Sequence, residues 1–132
     1  MINYMEVTQV IGKSSKCCRL QVGAVIVKEG RIVSTGYNGL PSGYNDSVCT
    51  FSCKGCEETI HAEMNAILFA AKKGISTEGA TMYVTHAPCT NCAKHIVNSG
   101  IIRVIYLNDY RDRKGVDLLR RSKIEVLKDI RG

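Results

Sequence analysis

Two short segments of this 132-residue sequence carry side chains that could do chemistry together: His61-Ala62-Glu63 and Pro88-Cys89-Thr90-Asn91-Cys92. One imidazole and two thiolates make a three-ligand set for zinc, the number a catalytic site uses when water takes the fourth position. Cysteines three apart at the start of a helix lie on one turn, and the positive end of that helix favours their ionised form. Glu63, two residues past His61, projects at a different angle, so it can stand beside the metal water without binding the metal. Zinc lowers the pKa of such a water from about 15.7 to about 7, and a neighbouring carboxylate can then take its proton and pass it on. Alone, Cys-x-x-Cys could equally be half of a zinc ribbon or a redox pair, and His-Ala-Glu an exposed helix start. Together, each opening a helix with a strand between them, they point to catalysis at a metal.

The elements that must position these residues follow from periodicity. Residues 3–14 carry Tyr4, Met5, Val7, Val10 and Ile11 at loosely helical spacing. Val22 to Val27 and Arg31 to Tyr37 read as two strands joined by a turn at Lys28-Glu29-Gly30, an antiparallel hairpin. Residues 38–56 form a long irregular loop rich in Gly, Asn, Ser and Cys, a length usually tied to function. A helix is predicted over Ile60 to Lys73, with Ile60, Met64, Ile67, Leu68 and Ala71 at helical spacing, Thr59 or an earlier residue as its cap, and Gly74 just past its end. Thr81 to Thr85 is a short strand, and Pro88 opens a helix closed after Ser99 by Gly100. Ile101 to Leu107, Val116 to Arg121 and Ile124 to Leu127 add a strand, a short helix and a last strand. This alternation implies one layered α/β domain spanning 1–132, with helices on the faces of a single sheet.

Composition bounds the function. Apolar residues make up 45% and charged residues 23%, an ordinary globular balance. No run approaches the ~20 apolar residues of a membrane span. Met1 to Glu6 shows no basic segment followed by an apolar one, so a cytoplasmic location is expected. The net charge of +6 suits an anionic partner, a nucleotide phosphate or a nucleic acid. The basic residues thicken towards the C-terminus, at Arg103, Arg111, Arg113, Lys114, Arg120, Arg121, Lys123 and Lys128. With two Phe and no Trp, a platform for stacking single strands is poorly supported, and nucleic acid is not the expected partner. Seven cysteines, an odd count with no secretion signal, argue for metal ligands over disulfides. Cys49, Cys53 and Cys56 cluster in the long loop, with Cys17 and Cys18 upstream. They read either as free buried thiols or as a structural zinc held by those three and one of the upstream pair. A long polar loop buries little surface, and a metal would supply the folding energy it lacks.

The pattern His-x-Glu followed by Pro-Cys-x-x-Cys is the signature of zinc deaminases. His61-Ala62-Glu63-Met64-Asn65-Ala66 with Thr85-His86-Ala87-Pro88-Cys89-Thr90-Asn91-Cys92-Ala93 resembles the cytidine and deoxycytidylate deaminase superfamily. The loop Gly36-Tyr37-Asn38-Gly39-Leu40-Pro41-Ser42-Gly43 resembles that of the deoxycytidylate branch, phage and bacterial type, and the likeness spans residues 10–127. It implies a three-layer cytidine-deaminase-like fold with one mixed five-stranded sheet. It implies that His61, Cys89 and Cys92 hold a catalytic zinc and that Glu63 shuttles protons. An activated water would attack C4 of the base while Glu63 protonates N3 and then the departing amine. Deoxycytidylate would yield deoxyuridylate, for thymidylate synthesis, and ammonia. Asn38 would hold the sugar hydroxyl, its loop glycines letting backbone amides approach the ligand, and Tyr110 would close over the substrate. The likeness favours Cys17 as fourth ligand of the second zinc. It further implies a homohexamer with Phe69 and Lys72 at subunit contacts, activation by deoxycytidine triphosphate and inhibition by thymidine triphosphate. One departure stands out: His86-Ala87 precedes Pro88, where Ser-Pro or Glu-Pro is familiar. Other readings are a deaminase of this fold acting on a nucleoside, guanine, a pterin-like ring or a tRNA base, a zinc-binding interaction module, and a nucleic-acid binder.

Overall fold

The hairpin forms one edge of the sheet. A computed structural model describes residues 2–17, 20–43 and 58–130. In it β1 (Gly23–Lys28) and β2 (Arg31–Tyr37) pair antiparallel, with Lys28 facing Arg31 across the turn. Glu29 and Gly30 both take positive φ, 52° and 75°, the backbone a two-residue hairpin of matching twist requires. The other elements are α1 (Tyr4–Gly12), α2 (Ala62–Lys72), β3 (Thr81–His86), α3 (Thr90–Asn98), β4 (Arg103–Asn108), α4 (Lys114–Arg121) and β5 (Glu125–Lys128). The five strands run in the order β2-β1-β3-β4-β5. β3 lies antiparallel to β1, whereas β3, β4 and β5 are mutually parallel, so the sheet is mixed, as expected.

Helices cover both faces. Ala24 and Ile26 of β1, Met82 and Val84 of β3, Val104 and Tyr106 of β4 and Val126 of β5 share one core with alanines of α2, Ala93 and Ile96 of α3, and Val116 and Leu119 of α4. On the opposite face α1 buries Met5 and Thr8 and sets Tyr4 against Tyr83, ring centroids 5.3 Å apart. Burial from both sides explains why β1 reads as an unbroken apolar run. Among the described residues no helix is long and apolar enough to cross a membrane.

The helix after the long loop departs from its expected facing. Leu68 and Ala71 are exposed and Met64 only half-buried, while Ala62, Ala66 and Ala70, one helical turn apart, are fully buried. The alanine stripe faces the sheet because β2 offers Ser34 and Gly36 beneath it. The Ser34 hydroxyl donates to the Ala66 carbonyl at 2.6 Å. A Cβ on Gly36 would collide with backbone at Ala62 and Ala66. Close approach outweighs side-chain bulk here, and the larger residues point to solvent. Gly36 therefore serves helix packing.

Candidate active site

Helix starts place the three prospective metal ligands. His61, not Thr59, is the N-cap of α2, with extended backbone and no side-chain capping bond, so its imidazole is left for other work. Glu63 sits in the first turn, 4% exposed. Helix α3 begins at Thr90, with Cys89 in the cap position after Pro88 and Cys92 in the first turn. The parallel strand β3 delivers this helix start at the carboxyl edge of the sheet, where α/β folds bind ligands. Two positive helix ends thus converge on one point.

The geometry fits a tetrahedral ion. His61 Nδ1 lies 3.6 Å from Cys89 Sγ and 3.3 Å from Cys92 Sγ. Zinc bonds of ~2.3 Å to sulfur and ~2.1 Å to nitrogen place tetrahedral N and S ligands about 3.6 Å apart. Among the described residues this is the one group of three His, Cys, Asp or Glu side chains that could hold a metal. The Cys92 thiol beside it, and then His61, bring Cys89 down to about 4. The Cys89 thiolate and burial push Cys92 strongly upward. Cys89 also raises His61. One negative charge is therefore held between two sulfurs, a set that a dication would complete. Burial pushes Glu63 to about 7, the range a proton shuttle needs at neutral pH.

A cavity of about 140 Å³ opens over this set, walled by Leu20, Val22, Asn38, His61, Ala62, Glu63, His86, Ala87, Cys89 and Tyr110. Asn38 and Tyr110 are thus brought to it. Asn38 is 8% exposed, and its amide already serves the protein. Its Oδ1 accepts from Val22 N–H and its Nδ2 donates to the Leu20 carbonyl, both at 2.9 Å. Gly39 and Ile60 exchange backbone hydrogen bonds of 3.1 and 2.8 Å, clamping the base of the long loop. Sequence reasoning noticed His86 only as an oddity; the cavity includes it. It missed Gly115 altogether, where a Cβ would collide with Pro88 and Cys89 backbone, so α4 is seated directly on the cysteine turn. No local pattern signals such a contact. Cys17 is half-buried beyond α1 and not part of the His61 group. Cys18, Cys49, Cys53 and Cys56 lie outside the described residues. Phe69 and Lys72 line a separate groove with Leu40, Pro41 and Leu68.

Residues 2–108 match the family described as the cytidine and deoxycytidylate deaminase zinc-binding region. The deoxycytidylate deaminase of Enterobacteria phage T4 is 37% identical, over 92% of this chain and 86% of that one. The dCMP deaminase of cyanophage S-TIM5 in apo form superposes with a TM-score of 0.85 at 36% identity, covering 96% of this chain and 94% of the other. Its complex with dCMP and dUMP gives 0.84 at 35%, covering 96% and 93%.

Proposed function

Since the chain belongs to the cytidine and deoxycytidylate deaminase family, we propose that it hydrolyses deoxycytidylate to deoxyuridylate and ammonia. One observation carries this reading: a buried carboxyl, Glu63, raised to about 7 beside a His/Cys/Cys set on the floor of a cavity. His61, Cys89 and Cys92 would hold the zinc. The bound ion supplies a water acidic enough to give up its proton near neutrality. With that chemistry supplied, Glu63 would move two protons in turn: one from the water to N3 as the oxygen bonds to C4, then the remaining proton of that oxygen to the amine, so that the C4–N bond breaks, ammonia leaves and a C4 carbonyl remains. Burial keeps this carboxyl from being levelled by solvent, so it can both accept and return a proton within one turnover. Asn38 and Tyr110 hold the nucleotide. The names and bound ligands of the phage relatives support deoxycytidylate over other bases. Ammonia release from deoxycytidylate, cytidine, deoxycytidine triphosphate and tRNA, measured side by side, tests this. Deoxycytidylate should be turned over fastest, and preferential release from tRNA or cytidine would overturn the substrate.

The same proposal includes a structural zinc on Cys17, Cys49, Cys53 and Cys56. Metal analysis should find about two zinc per chain, and Cys53→Ser about one, with the activity retained; a single zinc in the unmodified protein would refute this site. It also includes a homohexamer, supported by the exposed Leu68 and Phe69 on α2, and control by deoxycytidine and thymidine triphosphates. Mass in solution and turnover with each triphosphate test these.

A further inference from the structure

His86 ends β3 at the cavity wall, half-buried, and the catalysis described above gives it no task. Its Nδ1 lies 2.8 Å from the Thr85 hydroxyl oxygen. That oxygen also accepts the Gly23 N–H at 3.1 Å. The Thr85 hydroxyl is buried, and its own proton needs an acceptor. Gly23 N–H cannot serve, and the acceptor in reach among the described residues is His86 Nδ1. Thr85 therefore donates to Nδ1, which leaves the proton of the neutral ring on Nε2. Burial favours the neutral ring, so this tautomer persists near pH 7. The chain Gly23 N–H to Thr85 to His86 ties the ring to the centre of the sheet, so the donor is preorganised.

The polar lining of the cavity shows what such a donor meets. Glu63 is engaged with protons at the reacting centre, and the Asn38 amide is bonded to Leu20 and Val22. No Lys or Arg is among the described wall residues. A pyrimidine nucleotide carries acceptor oxygens at the C2 carbonyl and on its phosphate, and these need donors. We propose that His86 is a substrate-binding and specificity residue whose Nε2–H donates to an acceptor oxygen of the nucleotide. This rests on the nucleotide reading above.

Two amide substitutions separate this role from a purely structural one. His86→Asn keeps an acceptor for Thr85 near the Nδ1 position and removes the cavity donor. His86→Gln keeps an N–H near the Nε2 position and disturbs Thr85. The expected result is that His86→Asn weakens dUMP binding, measured by calorimetry, and raises KM for dCMP by about ten-fold, which corresponds to about 1.4 kcal/mol. The kcat should change much less, with zinc content and Tm close to the parent. His86→Gln should recover most of the affinity while lowering Tm. Repeating the titration with deoxyuridine identifies the oxygen. A loss shared by both ligands assigns the C2 carbonyl, and a loss confined to dUMP assigns the phosphate; either supports the role. Parent-like affinity in His86→Asn, or no recovery in His86→Gln, overturns it while the parent still releases ammonia from dCMP. A parent that neither deaminates dCMP nor binds dUMP sinks the nucleotide reading itself, and this inference with it.

Discussion

The floor and the rim of the cavity are built by different rules. The floor residues His61, Glu63, Cys89 and Cys92 all sit in the caps or first turns of two helices, where residue spacing alone sets their relative directions. The rim residues Asn38, His86 and Tyr110 come from the exits of β2, β3 and β4, and Asn38 and His86 are held by partners distant in the chain or by strand neighbours. Each half of the floor is thus a local construction, and packing brings the two halves together to perform the chemistry, while the rim is tertiary throughout and chooses what reaches it. Changes to the floor should abolish turnover without disturbing the rim, and changes to the rim should shift affinity and stability together.

The largest expected effect is at the floor. Glu63→Gln should keep the fold and zinc yet lose ~10²–10⁴-fold in kcat, because an amide cannot carry the proton. Steady-state kinetics with metal analysis checks this, and parent-like turnover would remove Glu63 from the mechanism.

The same residue makes the metal-stripped protein sensitive to pH. Its carboxyl titrates at about 7 in the fold against an ordinary 4.5. The folded state therefore binds more protons between these values, and stability falls as pH rises from 4.5 to 7. Each tenfold change in proton affinity corresponds to about 1.36 kcal/mol, so the loss is on the order of 3 kcal/mol. Chelated Glu63→Gln should be more stable than the chelated parent at pH 8 and no more stable at pH 4. Denaturant melts at both pH values measure it; an advantage that did not change with pH would contradict the burial explanation.

Gly115 tests whether the floor is local after all. Gly115→Ala places a methyl against the Pro88 and Cys89 backbone. Overpacking of this kind costs about 1–3 kcal/mol, and here the strain falls on a ligand cap. Both Tm and zinc retention under a competing chelator should drop. Unchanged zinc retention with a lowered Tm would show that the cysteine turn holds its shape without α4.

The smallest effect belongs to the rim. Asn38→Ala removes two part-buried hydrogen bonds, to Val22 N–H and the Leu20 carbonyl, each worth about 0.5–1.5 kcal/mol. Stability should fall modestly and KM for dCMP rise, with zinc unchanged. A rise in KM with no change in Tm would mean that the amide serves the ligand alone.

What the sequence determined by itself was local. The hairpin, the five strands and four helices within a few residues, the left-handed ends at Gly74 and Gly100 with φ of 70° and 87°, and the grouping of His61 with Cys89 and Cys92 were all legible. The elements rest on periodicity and turn chemistry, which act over one or two turns of chain, and the grouping on the pairing of two motifs that suit one ion. Tertiary structure decided what depends on residues far apart. The buried face of α2 was not legible because hydrophobic size pointed to Leu68, whereas Ser34 and Gly36 on β2 bring the helix backbone close and the alanines face the sheet. Asn38 read only as a ligand residue because nothing in Gly-Tyr-Asn-Gly reveals that its amide also bonds Leu20 and Val22. His86 read as an irregularity because its direction depends on Thr85, and that hydroxyl depends on Gly23, 62 residues away. Spacing encodes which groups can meet on one element. Only packing between elements encodes which of their hydrogen bonds are already taken.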